Sequence, residues 1–384
     1  MNSDADTTCH LCGGTLSRFA GFSERARVTS DCRPWPVGGA LAVCTACNTV
    51  QKPVDAAWHV DAQAIYQAYA IYDQGDGAEQ MVFDAAGGSP RSTRIAEACS
   101  ALLPDGDFDA LDIGCGNGAF LRALSARFPR ARLSGTEFDA RNRTTVLTIP
   151  GVVAFHAGDF EAVDGRYDLI SIIHVLEHIV DPAAFLRTAA HRLKPNGRIL
   201  IEVPDRGTNF FDLLIADHCT HFDRASLERC CRDAGLDLVL QSTAIVPKEL
   251  TFVARAADDD ETSSNASAGA EEITIAQAAE QIAWLARVAE QACSSALLPG
   301  PFGIFGTSIA ATWLDTELQG RAEFFVDEDP SRIGRAWFNR PILGPQDVAK
   351  GARVFVPLVP EVAQRIADRL HGVASYEIPE PPFG

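Results

Sequence analysis

The sequence predicts an α/β protein: a parallel sheet flanked by helices, with a small cysteine module ahead of it and a second α/β unit behind. Three observations predict this. Strand-like apolar runs alternate with helical patterns across residues 105–256. A glycine-rich turn follows the first of those runs. Two Cys-x2-Cys pairs, Cys9 with Cys12 and Cys44 with Cys47, occupy a leading stretch that has little periodicity of its own.

At 384 residues the chain is too long for one ordinary core, so two or three units are expected. The formal charge of −18 opposes polyphosphates and anionic bilayers, which are held by Lys and Arg; nucleic-acid and membrane partners are therefore excluded from the reading. The polar, acidic start MNSDADTTCH lacks the basic head and apolar run of a secretory signal, and no apolar stretch approaches the roughly 20 residues that span a bilayer. A cytoplasmic location is expected. There the 11 cysteines serve as thiols or metal ligands rather than disulfides.

The cysteine module spans residues 1–60. Two CxxC turns can present four thiolates tetrahedrally, the set a structural zinc prefers, with no position left open for chemistry. Gly13 permits the tight turn after Cys12. Residues 61–104 form an expected helical connector or cofactor lid, with Ile65, Tyr69 and Tyr72 at helical spacing.

Residues 105–256 carry the sharpest motif, DALDIGCGNGAF (109–120). An apolar strand ends at Asp112, three glycines follow at Gly114, Gly116 and Gly118, and a helix opens at Ala119. Glycines belong where a chain turns sharply and a ligand lies against bare backbone. The next strand ends at Glu137, 25 residues after Asp112, where a carboxylate can take both hydroxyls of a ribose. The third ends at Asp159 and Phe160; the acid can accept from an adenine amino group while Phe160 or Phe138 covers the ring. The fourth, YDLISIIHVLEHI, is an unbroken apolar run ending in His174, as suits a doubly covered parallel strand. Pro182 opens the following helix, and KPNG turns into the fifth strand, RILIEVP.

Beyond that strand stand Asp217, His218 and His221, with Glu177 and His178 just past the fourth. All face the carboxyl edge of the sheet, where ligands of α/β folds sit. Imidazoles suit proton transfer near neutral pH, and a neighbouring carboxylate can orient one. The acidic, small-residue stretch within 257–270 reads as a linker. Residues 271–384 then hold a long amphipathic helix, to about residue 298, and a second α/β unit with strand-like runs at 302–306, 322–327 and 352–359.

LDIGCGNG, GTEFD, AGDF, HVLEH and LKPNGRILIEVP stand in the order and spacing of the class I methyltransferases, which this segment resembles. The resemblance implies a Rossmann-like core that binds S-adenosyl-L-methionine through Asp112, Gly114, Gly116, Glu137, Phe138, Asp159, Phe160 and His174. The whole layout is similar to the sugar C-methyltransferases that act on nucleotide-linked keto-deoxysugars. They join a four-cysteine zinc module, a class I core and a C-terminal Rossmann-like unit. In that family a segment rich in Tyr, Glu and His follows the fifth strand. Here His218 matches its base, Asp217 stands where the family has Glu, and Ile215 and His221 replace tyrosines. The implied partner is a small molecule, a nucleotide-linked sugar. The implied chemistry is base-assisted C-methylation: His218 takes a proton from carbon, and His178 or His221 steadies the enolate. Methylation of a hydroxyl needs the same base and no enolate site. A non-catalytic zinc-bearing binding protein is the alternative of another class; it would be expected to lack Glu137 or Asp159, and both are present. Sugar, acceptor atom and oligomeric state are not set by the sequence.

Overall fold

The computed structural model describes residues 8–68, 79, 81–84, 87–104, 106–257, 274–370, 372 and 374–382. The expected linker, apart from Ala257, and the residues Tyr69 and Tyr72 lie outside them.

Seven strands make the central sheet: β1 (Asp109–Ile113), β2 (Arg132–Glu137), β3 (Val152–Ala157), β4 (Tyr167–Ile173), β5 (Leu193–Pro204), β6 (Leu236–Ser242) and β7 (Glu249–Ala256). Their order is β3-β2-β1-β4-β5-β7-β6. The first five are parallel, whereas β7 runs antiparallel to both β5 and β6. The expected parallel sheet is thus mixed. The reason is chain length: six residues join β6 to β7, enough for a hairpin and too few for a crossover. Central position explains the apolar run of β4 and β5, whose Ile170, Ile172, Leu200 and Ile201 are fully buried. Helices cover both faces. Arg91–Cys99 and Ala119–Arg127 lie on one, packing Ile95, Leu121 and Leu124. Pro182–Ala190 and Arg224–Asp233 lie on the other, packing Leu186 and Leu227. Asp181 caps the first of this second pair, accepting from Ala184 N, and Asp223 forms a capping box with Ser226 on the other.

The connector differs from expectation. Its helix starts earlier, at Ala56, and ends at Gln67, and a hairpin of Met81–Asp84 with Gly87–Pro90 follows. The C-terminal unit is a six-stranded sheet ordered Ala336–Trp337, Arg340–Leu343, Phe324–Val326, Phe302–Phe305, Arg353–Phe355, Ser375–Glu377. All its neighbours are parallel except the outermost pair at the Ala336 end. The long helix runs Ile275–Ala296 and buries Trp284, Leu285, Val288 and Ala292 on one face.

Beyond a small cluster of Cys9, Cys44 and Cys47 with Leu11 and Leu16, the cysteine module shares its apolar core with the rest of the chain. Phe22, Val28 and Val43 share one cluster with Phe211 and Leu214, which follow β5, and with Trp284 and Trp313 of the C-terminal unit. Its sheet, Leu16–Arg18, Ala42–Cys44 and Val50–Gln51, takes Thr220–His221 as a fourth strand. A module this small buries little surface, and borrowing a strand and a core offsets that deficit. Among the described residues, no helix is long and apolar enough to cross a membrane.

Candidate active site

β1 lies where the strand order reverses, so the turn after it opens on a crevice. Gly114, Gly116 and Gly118 all have positive φ, at 71°, 52° and 84°. A Cβ on Gly114 would stand 2.3 Å from Val175 Cγ2, so a side chain there would collide as well as strain. The Glu137 carboxylate accepts from Gly116 N at 2.9 Å and Phe138 N at 2.8 Å. With about four lone-pair sites in all, it keeps capacity for two ribose hydroxyls. The Phe138 ring is 74% exposed beside it, an apolar face in water, and Asp159 is exposed at the end of β3. A turn without Cβ atoms, a free acid and an uncovered ring fit an adenosine.

Two predicted cofactor residues sit elsewhere. Phe160 is buried and packs edge-on against Phe185, centroids 5.0 Å apart, so it is core and Phe138 is the ring of the two left exposed. Asp112 turns into the sheet and accepts from Ser171 Oγ at 2.6 Å; burial pushes its carboxyl up to about 7 despite that bond. His174 holds a positive φ of 52° at the end of β4, with Nδ1 3.2 Å from Glu177 Oε1. Its Nε2 lies 3.7 Å from both Glu202 and Glu249, beyond hydrogen-bond reach.

Val175, which presses on Gly114, leads into the turn Leu176–His178. That turn meets the segment after β5: Cys219 N donates to Glu177 O at 2.9 Å. The rings of His178 and His218 stand T-shaped with centroids 4.6 Å apart. Glu177, His178 and His218 each bring a nitrogen or oxygen within 4.8 Å of the others. The structure therefore gathers His178, Asp217, His218 and His221 into one buried neighbourhood, as the sequence suggested, but in different roles.

Asp217 is an anchor, because Ser30 of the cysteine module donates to it from both N (2.9 Å) and Oγ (2.5 Å). His221 is no candidate for steadying an enolate. It is fully buried, and both its nitrogens are engaged, Nδ1 by Asp212 at 2.6 Å and Nε2 by Lys52 at 2.8 Å. The carboxylate that orients His218 is Asp212, at 2.7 Å from Nδ1, and the sequence reading missed it. Its signal was faint: an acid in FFDLL, six residues before the histidine, in a stretch that reads as apolar core. Burial alone would raise Asp212, but the facing imidazoles hold it well below the usual carboxylate range. Burial would likewise lower His218, and Asp212 outweighs it to hold the imidazole above its ordinary value. The set Asp212, His218 and His221 is spaced for hydrogen bonds, at 2.6–2.7 Å, with the Lys52 ammonium beside it, which disfavours a metal.

Cys9, Cys12, Cys44 and Cys47 converge as predicted. Their sulfurs lie within 4.8 Å of one another, Cys9 to Cys47 at 3.7 Å and Cys12 to Cys44 at 3.4 Å. A tetrahedron with Zn–S of about 2.3 Å has an edge of about 3.8 Å. Leu11 N and Ala46 N point at Cys9 and Cys44 Sγ, each at 3.4 Å. Gly14 packs so tightly that a Cβ would stand 2.9 Å from Cys44 Sγ. The donor set and its cradle fit zinc.

Fold and crevice together define an α/β enzyme with a nucleoside site at the topological switch point and an imidazole beside it. Residues 89–241 match the family model described as Methyltransferase domain, and this segment is a class I S-adenosylmethionine-dependent methyltransferase domain. A Ubiquinone biosynthesis O-methyltransferase of Serratia proteamaculans (strain 568) is 30% identical over 113 residues, 27% of this chain and 45% of that one. An "Uncharacterized 37.1 kDa protein in transposon TN4556" of Streptomyces fradiae is 28% identical over 205 residues, 50% of this chain and 54% of that one. The chain thus spans about half the length of these two curated relatives. A solved S-adenosylmethionine-dependent methyltransferase of Clostridium acetobutylicum ATCC 824 aligns at 11% identity and a TM-score of 0.37, covering 53% of this chain and 100% of that one. A likeness that loose says nothing about acceptor or mechanism.

Proposed function

We propose that the chain methylates a small molecule from S-adenosyl-L-methionine, with a nucleotide-linked keto-deoxysugar as acceptor and carbon as the methylated atom. The observation that carries the reading is His218. Asp212 holds its Nδ1, among the described residues nothing hydrogen-bonds its Nε2, and its ring stands against His178, whose turn follows the Val175 that packs on Gly114. Glu137, Asp159 and Phe138 would hold the adenosine, and Gly114 and Gly116 would let the cofactor lie against backbone. When bound, the cofactor supplies a methyl group already activated by a sulfonium.

His218 Nε2 then takes the proton from the carbon beside the acceptor's ketone. The electron pair of that C–H bond would pass to the methyl carbon that the bound cofactor supplies, and the cofactor's sulfur would keep the pair of the bond it gives up. His178 is the neighbour left to face the acceptor oxygen, since His221 is sealed. We also assign Cys9, Cys12, Cys44 and Cys47 a structural zinc, which would hold the module against residues 213–221.

Methylation of a hydroxyl is the second reading, and the O-methyltransferase named among the relatives favours it. The same base serves. Incubating purified protein with methyl-labelled cofactor and paired nucleotide-linked keto and hydroxy sugars separates the two. C-methylation predicts label on carbon, read by product mass and carbon NMR. Label on oxygen would establish the second reading, and no transfer to any member would remove sugar nucleotides as acceptors.

A further inference from the structure

The peptide that carries His218 is held by a lysine 166 positions upstream, on the cysteine module. Lys52 is buried, which pushes its amine down to about 7 although Asp212 holds it up; below that pH it is an ammonium with three protons and no lone pair. Three acceptors meet it: Leu213 O at 3.3 Å, His218 O at 3.2 Å and His221 Nε2 at 2.8 Å. Each proton is matched.

That match fixes the rest. His221 Nε2 accepts, so in neutral His221 the ring proton lies on Nδ1, which faces Asp212 Oδ2 at 2.6 Å. Burial and the Lys52 charge push His221 down to about 3, which keeps it neutral. The other oxygen, Asp212 Oδ1, faces His218 Nδ1 at 2.7 Å. Asp212 is a carboxylate and only accepts, so Nδ1 of His218 also carries a proton and the lone pair of neutral His218 must be on Nε2. The backbone repeats the connection, because Lys52 N donates to Cys219 O at 2.9 Å and Val50–Gln51 pairs with Thr220–His221.

We infer that Asp212 is the positioning residue of this site, and that Lys52 and His221 prime it from the cysteine module by fixing which oxygen serves His218 and which nitrogen of His218 is free. This rests on His218 being the base. It gives the module a part in the chemistry beyond holding the fold. The arrangement has the logic of a base oriented by a buried acid, with a second imidazole and an ammonium behind the acid.

The titratable and charged groups facing His218 are Asp212, Glu177, Asp217, His174, His178 and His221, with Lys52 behind His221. Of these, Asp212 does most to keep His218 protonated. Asp212→Asn should therefore move the acid limb of the kcat profile to lower pH. An amide can donate to Nδ1 and select the wrong tautomer, so kcat at the plateau should fall on the order of 10^3-fold, with little change in KM for S-adenosylmethionine.

The deciding measurement needs no acceptor. Full-length, zinc-loaded protein labelled with 15N-histidine is examined by long-range proton–nitrogen NMR with S-adenosylhomocysteine present. Neutral His218 and His221 should both show the Nδ1–H tautomer, and Lys52→Met, which removes the charge facing His221 while Asp212 still holds its Nδ1, should shift His221 toward the doubly protonated imidazolium. An Nε2–H tautomer for either ring in the wild type overturns the inference, as does an Asp212→Asn enzyme with unchanged kcat and acid limb. If Asp212→Asn does not fold, the wild-type tautomers still decide. If they are as expected and His218→Ala remains fully active, the base assignment fails and the hydrogen-bond wiring stands.

Discussion

The central sheet and the C-terminal sheet present the same device in two conditions. In each, a central parallel strand ends in a glycine of positive φ, Gly114 at 71° and Gly306 at 85°. In each, the neighbouring parallel strand ends in an acid, Glu137 in one and Asp327 in the other. Among the described residues Glu137 takes two backbone N–H groups, and it stays half-buried beside the exposed Phe138 ring. Asp327 is taken up by its own chain: Thr307 Oγ1 donates to it at 2.8 Å, Asp329 N at 3.0 Å, and Arg332 stands 3.4 Å away. Topology thus provides a ligand edge in both units, but an acid already supplied with a hydroxyl and a guanidinium has little left for a ribose. We therefore keep the proposed chemistry at the first sheet and propose a supporting role for the second.

The contrast is tested most severely at the base. His218→Ala should lower kcat by roughly 10^2–10^4-fold with cofactor affinity within about twofold, as single-turnover rates and calorimetry would read. No substitution at Asp327 should approach this. Chelating the metal, or Cys47→Ser, should then separate binding from turnover. Turnover should fall at least about tenfold and Tm should drop, because residues 213–221 lose their partner strand, while S-adenosylhomocysteine still binds the central sheet. Intact turnover in metal-free protein would detach the module from the site.

Glu137→Ala should weaken cofactor binding roughly 10- to 100-fold, the loss of hydrogen bonds to a charged group. Asp327→Ala should leave affinity unchanged and lower Tm instead; a matching loss at Asp327 would make the second sheet a cofactor site too. On the proposed mechanism, the pH dependence of kcat is set by His218. Its neutral form is the base and Asp212 holds its pKa above the ordinary value of about 6.5, so kcat should climb tenfold per pH unit on the acid side and level off only above that value. Phe138→Ala is the mildest case, costing about 1 kcal/mol of ring stacking, roughly fivefold in affinity.

Sequence and structure part company at identifiable residues. The turn at Gly114 and Gly116 and the strand ends at Glu137 and Asp159 are legible because local backbone geometry is written in local spacing. The four cysteines were legible because paired CxxC turns have little else to do. Phe160 was misread because an aromatic at a strand end looks the same whether it faces a ligand or Phe185. Asp212 is hard to see because it sits in a stretch that reads as apolar core, and the parts of Asp217 and His221 because their partners, Ser30 and Lys52, lie beyond the reach of any periodicity. The mixed sheet was hidden for a similar reason: an apolar run does not record its direction.

By itself, then, the sequence determined the alternation of strand and helix, the nucleoside edge and the thiolate set, since hydrophobic period, glycine conformation and ligand spacing act over a few residues. Only the tertiary structure decided which acid serves His218, which ring faces the crevice, and that the cysteine module lends a lysine, a serine and a strand to the site. Those choices are made by burial, where every polar atom must find a partner from whichever part of the chain folding brings near.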